Sequence, residues 1–275
     1  MSPFRASAGT TGSWEHVRLE IADGVATVTL DRPAKLNALT FDAYADLRDL
    51  LAELPHRDDV RVLVITGAGH GFCSGGDVNE IIGALREADQ RTLLDFTWMT
   101  GAVVKGMREC PLPVIAAVNG VAAGAGAVIA LAADLRLLAR SARFSFLFTK
   151  VGLAGADMGS AYLLPRLVGL GRATELLLLG EDVSAERALE IGLAYEVVDD
   201  ETLPEVAGSL ARRLAGGPAL AYSVTKLLLS QEQDMSLAGA IELEAVAQAL
   251  LLRSADHAEF FAALQEGRDP AWSGR

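Results

Sequence analysis

The architecture of this chain is set by two glycine-rich segments, Gly-Phe-Cys-Ser-Gly-Gly-Asp at residues 71–77 and Asn-Gly-Val-Ala-Ala-Gly-Ala-Gly at residues 119–126. Each follows an apolar run that predicts a buried strand, and each precedes a helical pattern. Glycines let the chain turn sharply and let a ligand approach the backbone. Helix starts carry N–H groups without intrahelical acceptors. Two such starts facing one point would hold a carbonyl oxygen that becomes anionic during a reaction.

Neither segment by itself indicates a particular function, because glycine-rich turns between strand and helix are common in α/β folds. The dinucleotide-binding fingerprint requires Gly-x-Gly-x-x-Gly in an early βαβ unit. Residues 124–126 read Gly-Ala-Gly, but Ile129 stands where the third glycine is needed. The Gly-Lys-Ser/Thr of a Walker motif is absent from the sequence. The sequence therefore argues against a nucleotide cofactor.

Charge and composition exclude further classes of protein. The formal net charge is −12, from 36 acidic and 24 basic residues, and no dense basic run suggests a nucleic-acid binder. No window reaches the roughly 18 uncharged apolar residues of a membrane span. Cys73 and Cys110 lack metal-ligand spacing and fit a reducing compartment, and we interpret Cys73 as a small core residue rather than a nucleophile. We expect a cytoplasmic protein that binds neither nucleic acid nor a membrane.

The pattern along the chain predicts three regions. Residues 1–14 are polar, lack the apolar core of a signal peptide and predict a flexible tail. Residues 15–200 alternate between strand and helix and predict one core domain, which begins with a β-hairpin around Asp23-Gly24. Residues 201–275 are helical in pattern.

Four motifs occur in a specific order. They are Leu-Asp-Arg-Pro-Ala-Lys-Leu-Asn-Ala-Leu at residues 30–39, Phe-Cys-Ser-Gly-Gly-Asp at 72–77, Pro-Val-Ile-Ala-Ala-Val-Asn-Gly-Val-Ala-Ala-Gly at 113–124 and Glu-Gly-Arg-Asp-Pro-Ala-Trp at 266–272. In this order and spacing, the sequence resembles the crotonase family, also called the enoyl-CoA hydratase/isomerase family. The resemblance covers roughly residues 14–272, which is nearly the whole chain.

The resemblance implies an α/β fold, a crotonase-type spiral of ββα turns with a helical C-terminal trimerisation region at residues 201–275. It implies an acyl-CoA substrate, with coenzyme A as part of the substrate and no separate cofactor, and a homotrimer or dimer of trimers. The thioester oxygen would lie between two backbone N–H groups, which map to Gly76 and Ala125. Most relatives carry glycine at the second position, so the methyl group of Ala125 must fit there.

Other positions map to the family's contacts with its substrate. Residues 34–38 are similar to the stretch that touches the CoA nucleotide, and residues 77–79 would approach the adenine. Asp77 would also favour the helix start that follows it electrostatically. The implied substrate contacts are Ala34, Lys35, Ala38, Ser74, Gly76, Asp77, Val78, Val128 and Phe148.

The sequence departs from the family at its proton-transfer residues. Hydratases of the family use two glutamates around one water, and these positions map to Val128 and Phe148, which cannot move a proton. Residues 152–159 are similar to a stretch of dienoyl-CoA isomerases in which an aspartate transfers protons, with one extra residue here. Asp157 is therefore the candidate acid/base, and burial would raise its pKa. Alternatively, Asp157 caps the helix that starts near Gly159.

These observations predict an acyl-CoA enzyme of the hydratase/isomerase class, which stabilises a thioester enolate and uses Asp157 to move a proton. A double-bond shift or a variant hydration of an enoyl-CoA, as in fatty acid metabolism, is the first hypothesis. A CoA-thioester hydrolase or a decarboxylase would use the same oxyanion site. A non-catalytic acyl-CoA-binding paralogue that lost its glutamates is the alternative from another class of protein.

Overall fold

The computed structural model describes residue 14 and residues 16–274, so the predicted tail at residues 1–14 lies almost wholly outside the described residues. The strands are β1 (Val17–Ala22), β2 (Val25–Leu30), β3 (Val62–Gly67), β4 (Gly71–Cys73), β5 (Val114–Val118), β6 (Val121–Ala123), β7 (Leu135–Ala139), β8 (Arg143–Ser145), β9 (Asp182–Ser184) and β10 (Glu196–Val198). The helices are α1 (Phe41–Glu53), α2 (Gly83–Arg86), α3 (Gln90–Glu109), α4 (Ala125–Ala132), α5 (Ser160–Val168), α6 (Leu170–Leu179), α7 (Ala185–Glu190), α8 (Leu203–Ala215), α9 (Ala219–Gln231), α10 (Leu237–Leu251) and α11 (Ala255–Glu266).

The chain opens with the predicted β-hairpin. Strands β1 and β2 pair antiparallel, with Val17 opposite Leu30 and Ala22 opposite Val25. The two turn residues, Asp23 and Gly24, have φ values of 52° and 77°. Such a two-residue turn matches the right-handed twist of the flanking strands, and Asp-Gly is among the sequences that adopt it most readily.

The strands form two sheets that the chain visits alternately. The larger sheet has the order β1-β2-β3-β5-β7-β10, and the smaller one has the order β4-β6-β8-β9. A strand of the larger sheet is followed by a strand of the smaller sheet and then by helix, in the successive turns β3-β4-α3, β5-β6-α4 and β7-β8-α5. This is the spiral of ββα turns that the resemblance implied.

The glycine-rich segments contain short strands that sequence reasoning treated as loops. Residues 71–73 form β4 and residues 121–123 form β6, and the two pair in parallel. Strands of three residues are too short to show an alternating pattern, so only their pairing in the folded chain reveals them. The pairing brings the two segments side by side.

Several predicted boundaries also needed correction. The helical pattern after Asp77 is a single π-helical turn at Val78–Ile82, followed by the short α2. The pattern of apolar residues predicts that the next helix begins near Thr92. Helix α3 instead begins at Gln90, because the Asp89 carboxylate accepts a hydrogen bond from Thr92 N and caps the helix. Asp89 is polar and lies before the first apolar residues of α3, so the apolar pattern alone does not show where this helix begins.

Helix α4 is the centre of the core. Every residue from Ala125 to Ala132 is buried, and the run of small side chains lets the helix approach the neighbouring strands closely. Gly126 lies very close to β4: a Cβ on it would be 2.2 Å from the carbonyl oxygen of Cys73 at the end of that strand. Glycine is therefore required here for packing, because any side chain would push β4 and α4 apart.

The C-terminal helices divide into two groups by burial. Helix α8 contacts β2, β3, β5 and β7, and it buries Leu203, Ala207 and Leu210 against the larger sheet. Helix α10 has no buried residue. No helix in the described part of the chain is long and apolar enough to cross a membrane.

The clash at position 126 gives a test of how tightly the two glycine-rich segments are packed. We expect Gly126→Ala to lower the free energy of unfolding by about 3 kcal/mol, the upper end of the usual cost of overpacking, because the obstructing atom belongs to backbone. Gly101→Ala is the matched control, since nothing lies within 4 Å of a Cβ at that site in α3. The control should stabilise the protein by about 0.5–1 kcal/mol. Urea unfolding measures both, and equal effects would contradict the packing described.

Candidate active site

The amide of Gly76 is held in a fixed direction by its neighbours. Gly76 forms an isolated parallel β-bridge with Leu39. The Leu39 N–H donates to the Gly75 carbonyl oxygen and the Asp77 N–H donates to the Leu39 carbonyl oxygen, both at 2.8 Å. Since successive peptide groups of an extended chain face opposite sides, the Gly76 N–H points away from Leu39. It has no hydrogen-bond acceptor within the described residues, and Gly76 is only half-buried.

The amide of Ala125 is the first of helix α4. Gly124 precedes it with φ 52°, and the Gly124 N–H donates to the Ser145 carbonyl oxygen at 2.9 Å. The first N–H groups of a helix lack intrahelical acceptors, and that of Ala125 finds none elsewhere in the part of the chain that is described. Ala125 is 5% exposed and belongs to the hydrophobic core, so its methyl group is accommodated.

The two amides are neighbours in space. A Cβ placed on Gly75 would lie 3.1 Å from the Ala123 carbonyl oxygen and 3.6 Å from the Ala125 nitrogen. Gly75 has φ 97°, which favours glycine in any case. The Ala125 amide therefore lies beside Gly75, the residue that directly precedes Gly76.

Asp77 and Glu80 stabilise the turn that follows the first segment. The Asp77 carboxylate accepts hydrogen bonds from the backbone N–H groups of Asn79 and Glu80 and forms an ion pair with Arg32 at 3.1 Å. These bonds, that from Glu80 first, hold the pKa of Asp77 below its usual value. The Glu80 carboxylate accepts from the Phe41 N–H at 3.2 Å, so it supports the start of α1 rather than only facing solvent.

The predicted CoA-binding residues surround this turn. The segment at residues 33–38 lies on the first glycine-rich segment, since the Ser74 N–H donates to the Leu36 carbonyl oxygen at 2.9 Å and the Ser74 hydroxyl donates to the Lys35 carbonyl oxygen at 3.3 Å. Buried Asn37 completes the contact by donating to the Ala68 and Gly71 carbonyl oxygens. At the surface, Ala34, Lys35 and Val78 are exposed, Ala38 and Ser74 are half-buried, and Asp77 is buried.

No carboxylate occupies the two mapped glutamate positions. Val128 in α4 is fully buried and Phe148 is 7% exposed. Phe148 lies in a short 3-10 helix, Leu147–Val151. Neither side chain can accept or donate a proton.

The side chain of Asp157 is not a helix cap. Its carboxylate accepts from the N–H of the next residue, Met158, at 2.9 Å. Helix α5 begins at Ser160 after Gly159, and no side chain caps it. The Asp157 N–H instead donates to the buried Ser160 hydroxyl, which donates to the Gly155 carbonyl oxygen. These bonds fix the turn and leave the second carboxylate oxygen of Asp157 without a partner in the described structure. Burial raises the pKa of Asp157.

Cys73 is a core residue, as the sequence indicated. It is fully buried between the two segments, and burial raises the pKa of its thiol to about 12. A neutral thiol is a poor nucleophile, so covalent chemistry at Cys73 is disfavoured. The described residues contain no group of three or more His, Cys, Asp or Glu side chains that could hold a metal ion.

Comparison with known proteins agrees with this arrangement. A sequence profile of enoyl-CoA hydratases and isomerases matches residues 20–275. The chain belongs to the enoyl-CoA hydratase/isomerase family. It is accordingly an enzyme of the lyase or isomerase class, and the crotonase-type fold expected from the sequence is confirmed.

Three relatives illustrate the range of this family. A crystal structure described as that of a candidate enoyl-CoA hydratase from Streptomyces coelicolor A3(2) is 63% identical, covers 100% of both chains and superposes with a TM-score of 0.95. The 1,2-epoxyphenylacetyl-CoA isomerase of Escherichia coli (strain K12) is 40% identical over 95% of this chain and 99% of its own. The (E)-benzylidenesuccinyl-CoA hydratase of Thauera aromatica is 36% identical over 94% of this chain and 99% of its own.

Sequence reasoning gave no role to Tyr44, which the fold places beside Gly76. It lies on the buried face of α1, where an aromatic residue is most simply interpreted as core. In the fold, its hydroxyl lies 3.7 Å from the position of a Cβ on Gly76. Burial raises the pKa of Tyr44 well above its usual value, and the nearby Cys73 and Asp157 raise it further. No signal in the sequence alone could bring α1, residue 76 and residue 157 together.

The pKa of Asp157 has a testable consequence for stability. Because burial raises it above the unfolded value of about 3.9, the folded protein binds more protons between the two values, and stability falls as pH rises through that interval. Asp157→Asn should therefore raise the free energy of unfolding at pH 7, with the difference vanishing below about pH 4. Urea unfolding across pH measures this effect.

Asp77→Asn is the control of opposite sign. Its pKa is lowered in the fold, so its carboxylate stabilises the protein above the unfolded pKa, and that contribution is lost as pH falls through the folded pKa. The substitution should destabilise at pH 7 and have less effect in acid. If Asp157→Asn also destabilised the protein at pH 7, hydrogen bonds to the Asp157 carboxylate would outweigh the effect of burial, and its pKa would be lowered rather than raised.

Proposed function

We propose that this enzyme shifts a double bond in an acyl-CoA by moving one proton with Asp157, while the thioester oxygen is held by the N–H groups of Gly76 and Ala125. The observation that carries the proposal is the combination of two free backbone amides with a single candidate proton carrier. Both amides lack an internal acceptor, the mapped glutamate positions hold Val128 and Phe148, and Asp157 is a half-buried carboxyl group with a raised pKa.

The reaction can be written with Asp157 as the only proton carrier. The Asp157 carboxylate takes a proton from the carbon next to the thioester carbonyl of a 3-enoyl group. The electron pair of that C–H bond moves toward the thioester oxygen and gives a dienolate. The resulting carboxylic acid then returns the proton to the far carbon of the dienolate, and the double bond ends in conjugation with the thioester. No water or outside reductant takes part.

The two amides would lower the barrier to this step. Donors that are already oriented toward a developing oxyanion need no reorganisation during the reaction, and removing one such donor typically slows catalysis by about 10²–10³-fold. The Leu39 bridge orients the Gly76 N–H, and the start of α4 orients that of Ala125. The positive end of the α4 dipole favours the same negative charge.

A raised pKa suits the role assigned to Asp157. A general base works best when its pKa approaches the operating pH, since it must take the proton and then return it. Burial provides this by penalising the carboxylate. The same observation favours proton transfer over a purely acyl-CoA-binding role, because an idle buried carboxylate only costs stability. The relatives include an isomerase and a hydratase, so the preference for a double-bond shift over hydration rests on the apolar side chains of Val128 and Phe148.

The substrate would enter along the segment at residues 33–38. Ala34, Lys35 and Val78 form an exposed border next to Ser74 and Gly76. Lys35 offers a cation for the phosphates of coenzyme A. The acyl group would then extend past Gly76 toward Val128, Phe148 and Asp157.

Removing the proton carrier tests the proposal. Asp157→Asn should lower kcat by about 10³-fold or more for a panel of 3-enoyl-CoA thioesters, since general acid/base catalysis contributes about 10²–10⁴-fold. The amide keeps the size of the side chain and the bond from Met158, so thioesters should still raise the melting temperature of the variant. Absorbance of the conjugated enoyl thioester measures turnover.

Asp89→Asn is the matched control for this experiment. Asp89 caps α3 at the surface, where it accepts from Thr92 N, and its substitution should leave kcat unchanged. Full activity of Asp157→Asn, or rapid hydration of crotonyl-CoA by the wild-type enzyme, would contradict the proposal. If no CoA thioester raised the melting temperature of the wild-type protein, the proposal that its substrates are CoA thioesters would be wrong.

We also propose that the C-terminal helices are covered by other copies of the chain, in a homotrimer or a dimer of trimers. Large apolar side chains on α10 are open to solvent in the single chain, among them Leu237 at 78% and Leu250 at 71% exposure, and Leu264 on α11 is 65% exposed. Exposed apolar surface beyond scattered single residues usually marks an interface.

The mass of the native protein tests this assembly. Light scattering should give three or six times the 28.9 kDa mass of one chain. The assembly would be stabilised by about 25 cal/mol for each Å² of apolar surface that it removes from water. Leu250→Glu would place a charge in the interface and should shift the protein toward smaller species. A wild-type mass of one chain at micromolar concentration would contradict the proposed assembly.

A further inference from the structure

Tyr44 presents a buried hydroxyl at the candidate active site that the proposed mechanism does not use. It lies in the first turn of α1 and is 2% exposed. Its ring packs edge-to-face on Phe96, with centroids 5.8 Å apart and an interplanar angle of 88°. The packing fixes the direction of the ring and therefore the position of the hydroxyl at its end.

The surroundings of this hydroxyl lack a partner. Among the described residues, none donates to or accepts from the Tyr44 hydroxyl within hydrogen-bond distance. Its oxygen is not among the fully buried side-chain atoms that lack a partner, so this oxygen retains contact with open space. A Cβ on Gly76 would lie 3.7 Å from the hydroxyl oxygen. The hydroxyl therefore lies beside Gly76, the residue whose amide is proposed to hold the thioester oxygen.

The hydroxyl stays protonated at this place. Burial raises the pKa of Tyr44 well above the usual value, and the nearby Asp157 carboxylate acts in the same direction. A neutral phenol is a hydrogen-bond donor and cannot serve as a base near neutral pH. Its chemistry here is thus limited to donating to an acceptor, and an acceptor that gains negative charge suits it best.

We propose that Tyr44 supplies a third hydrogen-bond donor to the thioester oxygen, alongside the N–H groups of Gly76 and Ala125. This inference rests on the proposed function, because it requires a substrate oxygen at those two amides. As the Asp157 carboxylate removes a proton from the acyl group, negative charge develops on that oxygen. The Tyr44 O–H bond remains intact, and its hydrogen bond to the oxygen shortens as the charge grows.

The arrangement also explains why a phenol is useful at this point. Negative charge leaves Asp157 and appears on the thioester oxygen, so a donor close to both groups stabilises the product of the transfer. Tyr44 lies beside Gly76 and within the electrostatic reach of Asp157. Since Phe96 holds the ring, the donor needs little reorganisation during the reaction.

Tyr44→Phe tests the assignment, because it removes only the hydroxyl and keeps the ring against Phe96. We expect kcat for 3-enoyl-CoA isomerisation to fall by about 10²-fold, the low end for loss of one oxyanion donor, with KM changed much less. Tyr195→Phe is the matched control, since Tyr195 is 50% exposed at the surface and outside the site. It should leave kcat unchanged.

A spectroscopic measurement separates this inference from the proposed function. Carbonyl-labelled [1-13C]acetyl-CoA bound to the wild-type enzyme should show a downfield shift of its carbonyl resonance, and Tyr44→Phe should reduce the shift. An equal shift in both proteins, or an unchanged kcat, would overturn the role of Tyr44 and leave the two amides intact. No shift in the wild-type enzyme would overturn the proposed oxyanion site and the role of Tyr44 together.

Discussion

The close approach of two backbone segments is the constraint on which the rest of this structure depends. Residues 71–77 and 119–126 pack so tightly that Gly126 has no room for a side chain. Strands β4 and β6 pair directly, and α4 starts where the segments meet. The result is a pair of amide donors whose directions are set by backbone rather than by flexible side chains. Such donors lose no side-chain entropy when they bind an oxygen.

The chemistry around these donors differs from that of a two-glutamate hydratase. Apolar side chains fill both glutamate positions, and the described site retains a half-buried carboxyl group at Asp157 and a buried phenol at Tyr44. Burial acts on both groups by disfavouring their charged forms. For Asp157 this moves the pKa toward the range in which a proton can be taken and returned, and for Tyr44 it preserves a donor.

Stability and function oppose each other at this site. The Asp157 carboxylate costs folding free energy, because burial disfavours its charged form. This cost is offset by a core in which α4 is entirely buried and by the hydrogen bonds of Asn37 and Asp77, which hold the surrounding turns.

The sequence by itself determined the family, the hairpin at residues 17–30, the two glycine-rich segments and the candidate residues Gly76, Ala125 and Asp157, because each is written in a local motif or an ordered set of motifs. It could not determine the short strands β4 and β6, the cap that starts α3 or the free carboxylate oxygen of Asp157. Only the tertiary structure brought Tyr44 beside Gly76, because contacts between residues distant in sequence arise from packing and leave no local pattern.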